Sequence, residues 1–235
     1  MAENPNWAAR SGAASVEIDQ GLRSYMLGVY NYMALGLALT GVVSWLSAST
    51  GFLLSIMNTP LIWVVIFAPV ILVFVLGAGI NRMSARAAQA TFLAYSALNG
   101  VSLGFIFLAY TGTSIAMTFF TTAAAFGALS LYGYTTKRDL SPIGSFLIIG
   151  LIGILIASVV NIFLHSSGLQ FAISAIGVLI FAGLTAFDTQ RIKEMYYTGD
   201  DAAVVARKSI LGALRLYLDF INLFLFLLRF MGNRR

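Results

Sequence analysis

Seven stretches of the chain are long and apolar enough to cross a membrane: about residues 24–48, 60–80, 88–110, 113–134, 143–164, 169–191 and 209–231. A helix that crosses the hydrocarbon core needs about 20 predominantly apolar residues. None of the first five stretches carries a charged residue in its interior. The connections are short, so there is no room between the stretches for a soluble domain. Helix is the expected form of each. An open sheet leaves backbone groups unpaired in lipid, and a barrel would show alternating stretches of about ten residues. Leu61–Leu76 does not alternate.

Composition agrees. Charged residues make up 10% of the chain and hydrophobic ones 59%, where an ordinary soluble domain has about 25% charged. A soluble enzyme could not hide that much apolar surface, and disorder requires the opposite balance. With no cysteine and one histidine, disulfides, iron–sulfur clusters and ordinary zinc sites are excluded. The expectation is an all-α membrane protein: a polar cytoplasmic arm over 1–23, then a seven-helix transmembrane domain over 24–235. The arm carries Glu3, Arg10, Glu17, Asp19 and Arg23 and lacks the apolar core of a cleavable signal.

Basic residues mark every second connection: Arg10 and Arg23, Arg82 and Arg86, Lys137 and Arg138, then Arg191, Lys193, Arg207 and Lys208. The connections between them hold no Lys or Arg. The positive-inside rule therefore puts the N-terminus in the cytoplasm. That pattern explains the net charge of +5 without a nucleic-acid partner. The seventh segment is expected to cross, although Arg229, Arg234 and Arg235 are basic too. Ser96, Gly100 and Gly104 make a small-residue stripe suited to close helix contact.

Ionisable groups inside apolar segments are costly and mark function by default. Two carboxylates stand out, Asp188 in the sixth segment and Asp219 in the seventh. Arg191 follows Asp188 by three residues and Arg215 precedes Asp219 by four, so each pair can meet on its own helix face. The alternative is a pair of carboxylates facing each other. In a low dielectric the two would share a proton, and once deprotonated they would offer hard oxygen ligands suited to Ca²⁺. Depth stands against that pairing. Counted from Lys193 and Lys208, Asp219 lies about 9 Å deeper than Asp188 at the helical rise.

The residues around these aspartates resemble the signatures of the Bax inhibitor-1 (TMBIM) family. They are Ala-Phe-Asp-Thr-Gln-Arg-Ile at 186–192, Leu-Tyr-Leu-Asp-Phe-Ile-Asn-Leu-Phe at 216–224 and Leu-Leu-Arg at 227–229. The similarity covers nearly the whole chain after about residue 20. It implies a seven-helix bundle whose last helix is surrounded by the other six. It also implies a bacterial inner-membrane protein that acts as a pH-sensitive Ca²⁺ leak channel through a di-aspartyl sensor, here Asp188 and Asp219. A basic residue ending the second helix would latch the sensor, and Arg82 is the best match. From position alone, Arg82 reads first as an ordinary positive-inside anchor. Arg215 and Arg191 are candidate counter-charges. Ca²⁺ would be cargo, with no cofactor.

Family members are also linked to cell-death suppression and to a membrane protease they modulate. The alternative function is thus a non-conducting membrane interaction protein. No enzyme is expected. The surroundings of the two aspartates differ from those of intramembrane aspartyl proteases, which place the second in a Gly-x-Gly-Asp turn. His165 beside Ser166 and Ser167 is a loop histidine, and Gly199-Asp200-Asp201 lacks the later ligands of an EF-hand. Asn99, Asn161 and Asn222 are expected as helix–helix glue, with pore lining as the alternative.

Overall fold

The computed structural model describes the backbone from residue 5 and side chains from residue 20. The expected arm therefore falls largely outside the described residues. The first helix runs without a break from residue 5.

Seven long helices account for the seven apolar segments. They are α1 (Pro5–Ser49), α2 (Leu61–Gly79), α3 (Ala85–Leu103), α4 (Gly112–Thr135), α5 (Ser141–Leu164), α6 (Ser167–Glu194) and α7 (Ala202–Met231). Short helical turns sit at Phe52–Ile56, Ile80–Arg82 and Phe105–Ala109. Caps are drawn from the expected residue types. Ser84, Thr111, Ser166 and Asp201 each accept the N–H three residues on, satisfying donors a helix start leaves open. Ser166 is thus committed to a cap, and Gly199-Asp200-Asp201 is a turn that starts α7. Pro142 enters α5 in its first turn, where its missing N–H costs nothing.

Burial sets the layers. α7 is 61% buried in its apolar window and α5 only 6%, so α7 is the axis and α5 lies at the lipid boundary. α1, α3, α4 and α6 pack on α7, whereas α2 packs chiefly on α3 and α5 chiefly on α6. The implied ring of six around the last helix is therefore four helices in contact with it and two outriggers. The reason lies in the sequences of α2 and α5, which are apolar on nearly every side, with Trp63, Phe74, Phe146, Ile149 and Phe163 exposed. In lipid such faces need no protein cover.

The stripe on α3 does what its composition implies. Ser44 donates to the Gly100 carbonyl at 2.9 Å and Thr40 to the Ser96 carbonyl at 2.8 Å. A Cβ at Gly100 would stand 2.8 Å from the Thr40 carbonyl oxygen, so glycine is what lets α1 and α3 backbones meet.

α7 runs the full length of the bundle. At one end Lys208 donates to the Met195 carbonyl at 2.9 Å, beside the end of α6. At the other, the Asn233 N–H reaches Ser114 Oγ at 2.8 Å and the Arg235 N–H reaches the Ala109 carbonyl at 3.1 Å. The tail is thus tied to the connection between α3 and α4, on the face opposite the basic connections.

Candidate functional site: a buried carboxylate pair

The antiparallel packing of α6 on α7 sets the level of each charge. Ile192 lies against Gly212, and Phe226 lies against Gly177. This register puts Asp188 level with Arg215 and leaves Asp219 one turn deeper, about 6 Å at the helical rise. The gap counted from the loop lysines was larger because α7 begins well beyond the end of α6. Side-chain direction closes most of what remains. Helical side chains lean toward their own N-terminus, so Asp188 leans deeper along α6 and Asp219 leans back along α7. The two carboxyl groups come within hydrogen-bonding reach of each other.

Asp219 is 4% exposed, while the side chain of Asp188 is 17% and that of Arg215 44% exposed. Asp219 is therefore the inner member and Arg215 the outer. Arg215 Nη1 stands 3.6 Å from Asp188 Oδ1. Asp219 Oδ2 is buried and accepts no hydrogen bond from the described residues. A buried acceptor without a donor is expensive, and here its neighbour is another carboxyl. A shared proton or a cation is what such a pair accommodates.

The local pairings that spacing allowed are not the ones formed. Arg191 pairs with Glu194 at 3.2 Å and lies over the Phe187 ring at 5.9 Å, though its charge still faces Asp188. Arg215 reaches across to α6 instead of down its own helix. Arg82, the candidate latch, is exposed at the end of the Ile80–Arg82 turn. The positive charges facing the aspartates are Arg215 and Arg191.

The pair opens into a cavity of about 790 Å³ between α5, α6 and α7, lined among others by Ser158, Phe187, Arg191, Asn222 and Arg229. The cavity exists because α5 leans on α6 and leaves α7 uncovered on that side. Asn222 lines it and donates to the Leu218 carbonyl of its own helix at 2.8 Å, so of the three asparagines this one lines the cavity of the aspartates. Asn99 is glue, donating to the Tyr217 hydroxyl at 2.8 Å. Asn161 accepts the Ser166 N–H at 3.0 Å and shapes the α5–α6 turn.

Sequence reasoning missed Tyr217. On the far side of α7 from the cavity its hydroxyl joins Asn99 to Thr40, at 2.7 Å from the latter. Thr40 spends its proton on the Ser96 carbonyl, so the donor order is Asn99, Tyr217, Thr40, Ser96. This chain ties α1, α3 and α7 together through fully satisfied groups. A tyrosine two residues before a buried aspartate was the only signal, and a tyrosine in an apolar helix reads as core.

Six spans and a carboxylate-bearing central seventh define a multi-pass membrane protein with ionisable groups at its core. The chain belongs to the Bax inhibitor-1 family: residues 22–235 match the family described as inhibitor of apoptosis-promoting Bax1. It is 50% identical over 219 residues to the inner membrane protein YbhL of Escherichia coli K12, covering 92% of this chain and 94% of that one. Protein RP147 of Rickettsia prowazekii is 52% identical over 218 residues, covering 92% of each chain. A protein of Caulobacter vibrioides is 48% identical over 233 residues, covering 94% of this chain and 93% of that one.

Proposed function

We propose that this protein is a pH-sensitive Ca²⁺ leak channel of the bacterial inner membrane in which Asp188 and Asp219 are both proton sensor and cation site. The observation that carries the reading is the buried Asp219 oxygen, without a donor, facing a second carboxyl beside a cavity. The basic connections lie toward the cytoplasm, by the positive-inside rule.

The mechanism follows from charge. With one proton shared, the aspartates and Arg215 nearly cancel, and the site holds no net attraction for a cation. Loss of the proton leaves two carboxylates against one guanidinium. A Ca²⁺ ion then competes with Arg215 for Asp188 and gains oxygens from Asp219 and the Asn222 amide. Ca²⁺ takes six to eight oxygens in full coordination, and these three side chains supply fewer. Binding is accordingly weak, which is what passage requires, since a conducting site must release its ion. Arg82 is left with the role of anchoring the end of α2.

The test is Ca²⁺ flux into liposomes holding purified protein from about pH 5 to 8, for wild type, Asp188→Asn, Asp219→Asn and the double variant. Flux that varies with pH in wild type and loses that variation in the variants is the expected result. Folded wild-type protein that passes no Ca²⁺ at any pH would overturn the reading in favour of a non-conducting partner of a membrane protease.

A further inference from the structure

We infer that the site has its own aqueous access route from the face bearing His165, and that the Arg229 guanidinium is the barrier on it. The inference rests on the carboxylate pair being the cation site. Beyond the Asp-lined cavity lies a second hollow of about 290 Å³, lined chiefly by Ser158, Asn161, His165, Gln170, Ser174 and Arg229. These residues come from the ends of α5 and α6 and the last turns of α7. The two hollows share two lining residues, Ser158 and Arg229, so they meet there.

The second hollow is unlike the rest of the lipid-facing surface. Around it α5 presents Ile156, Val159 and Phe163 outward, yet Ser158 and Asn161, half-buried on its other side, line the hollow with polar groups. Polar side chains at such depth are costly against hydrocarbon and inexpensive against water. A hollow of this size with several polar partners holds several waters. It is a vestibule, and its floor is the junction with the carboxylate cavity.

Arg229 stands at that junction. It lies ten residues, nearly three turns, beyond Asp219 on α7, and its guanidinium sits 5.8 Å from the Phe226 ring centroid. Among the described residues no carboxylate lines the vestibule, and the aspartates of the neighbouring cavity lie nearly three turns away along α7. A divalent cation moving between vestibule and carboxylates must pass it. Arg229 is exposed where the two hollows meet, and a fixed positive charge on a cation's path repels it, so Arg229 keeps the leak slow and makes the carboxylate cavity harder for cations to enter from this face.

The chain has no cysteine, so single cysteines report access directly. Asn161→Cys tests the vestibule and Asn222→Cys the space beyond Arg229. Each is exposed from the His165 face to a membrane-impermeant trimethylammonium methanethiosulfonate, with a neutral thiol reagent as the folding and reactivity control. We expect rapid labelling at 161 and slow labelling at 222. Adding Arg229→Gln should speed labelling at 222 at least tenfold, and Arg229→Lys should not. Leu225→Cys serves as a second reporter in the same cavity should Asn222→Cys fold poorly. Absence of labelling at 161 would mean the hollow is filled by lipid, and labelling at 222 indifferent to Arg229 would remove the barrier. Either result overturns the inference.

Flux separates this from the function above. Arg229→Gln should raise Ca²⁺ leak at least fivefold. If leak depends on the aspartates but not on Arg229, the barrier fails and the channel stands. If labelling behaves as expected and no Ca²⁺ passes, the channel fails and the barrier stands as an access barrier.

Discussion

Arg215 and Asp188 sit level with each other on antiparallel helices, with Nη1 3.6 Å from Oδ1. The guanidinium occupies the outer side of a carboxyl whose inner side faces Asp219. The arrangement makes Arg215 the competitor of any cation at the pair. A half-exposed ion pair of this kind is worth about 0–1 kcal/mol. Arg215→Gln is therefore expected to tighten Ca²⁺ binding by up to about fivefold, read by titration of the detergent-solubilised protein with Ca²⁺. Weaker binding in this variant would show that Arg215 organises the site.

Proton and cation compete for the same oxygens, so binding of one must weaken binding of the other. Where the pair holds its shared proton, Ca²⁺ uptake releases that proton. Affinity should then rise with pH by up to about tenfold per unit, and flatten once the proton is gone. The sign follows from the competition alone. Calorimetry in two buffers of different ionisation enthalpy would count the protons released. A count of zero across the whole range would rule out a shared proton, and Asp188→Asn with Asp219→Asn should abolish both binding and release.

Tyr217→Phe removes the middle of the Asn99–Tyr217–Thr40 chain. The half-buried Asn99 amide and the buried Thr40 oxygen lose their partner. Leaving a buried polar group unsatisfied costs about 1–3 kcal/mol, which thermal unfolding in detergent should register. The proposed cation site lies on the other side of α7, so any Ca²⁺ affinity of the folded protein should hold within twofold.

Two glycines inside membrane helices should respond oppositely. A Cβ at Gly100 would stand 2.8 Å from the Thr40 carbonyl oxygen and 2.9 Å from the Val43 Cβ, whereas one at Gly153 meets nothing within 4 Å. Gly100→Ala should destabilise by about 1–3 kcal/mol through forced separation of α1 and α3. Gly153→Ala should be neutral or slightly stabilising, since it swaps a poor helix former for the best one. Comparable melting temperatures for the two variants would contradict the close approach of α1 and α3.

Gln190 pins the connection before α5. Its Oε1 accepts the Leu140 N–H at 2.9 Å and its Nε2 donates to the Arg138 carbonyl at 2.8 Å. Gln190→Leu keeps the volume and drops both bonds. Trypsin cleavage after Lys137 or Arg138 should quicken several-fold in the variant while α4 and α5 stay intact. An unchanged cleavage rate would mean the connection is held by other contacts.

The spans were legible because hydropathy acts locally. A segment such as 143–164 is apolar whatever its neighbours are, and it forms α5 over Ser141–Leu164. The two aspartates were legible for the same reason, as charges in the wrong solvent. The partner of Asp188 was not. Spacing offered Arg191 at i+3, and resemblance offered Arg82. The structure pairs it with Arg215, because only the register of α6 on α7 decides which residues stand level. The second hollow was equally hidden, since Arg229 lies far along the chain from Asn161 and Gln170 and each taken singly is an ordinary polar residue near a helix end.

By itself the sequence determined that this is a seven-span helical membrane protein with two carboxylates in its last two spans, because apolar length and misplaced charge are properties of each segment alone. Only the tertiary structure decided that α7 is the axis, that α5 stands off it to leave a cavity, and that Asp188 and Asp219 meet with Arg215 beside them. Those outcomes depend on inter-helix register and side-chain lean, which come from how glycines, hydroxyls and large side chains of different helices fit together.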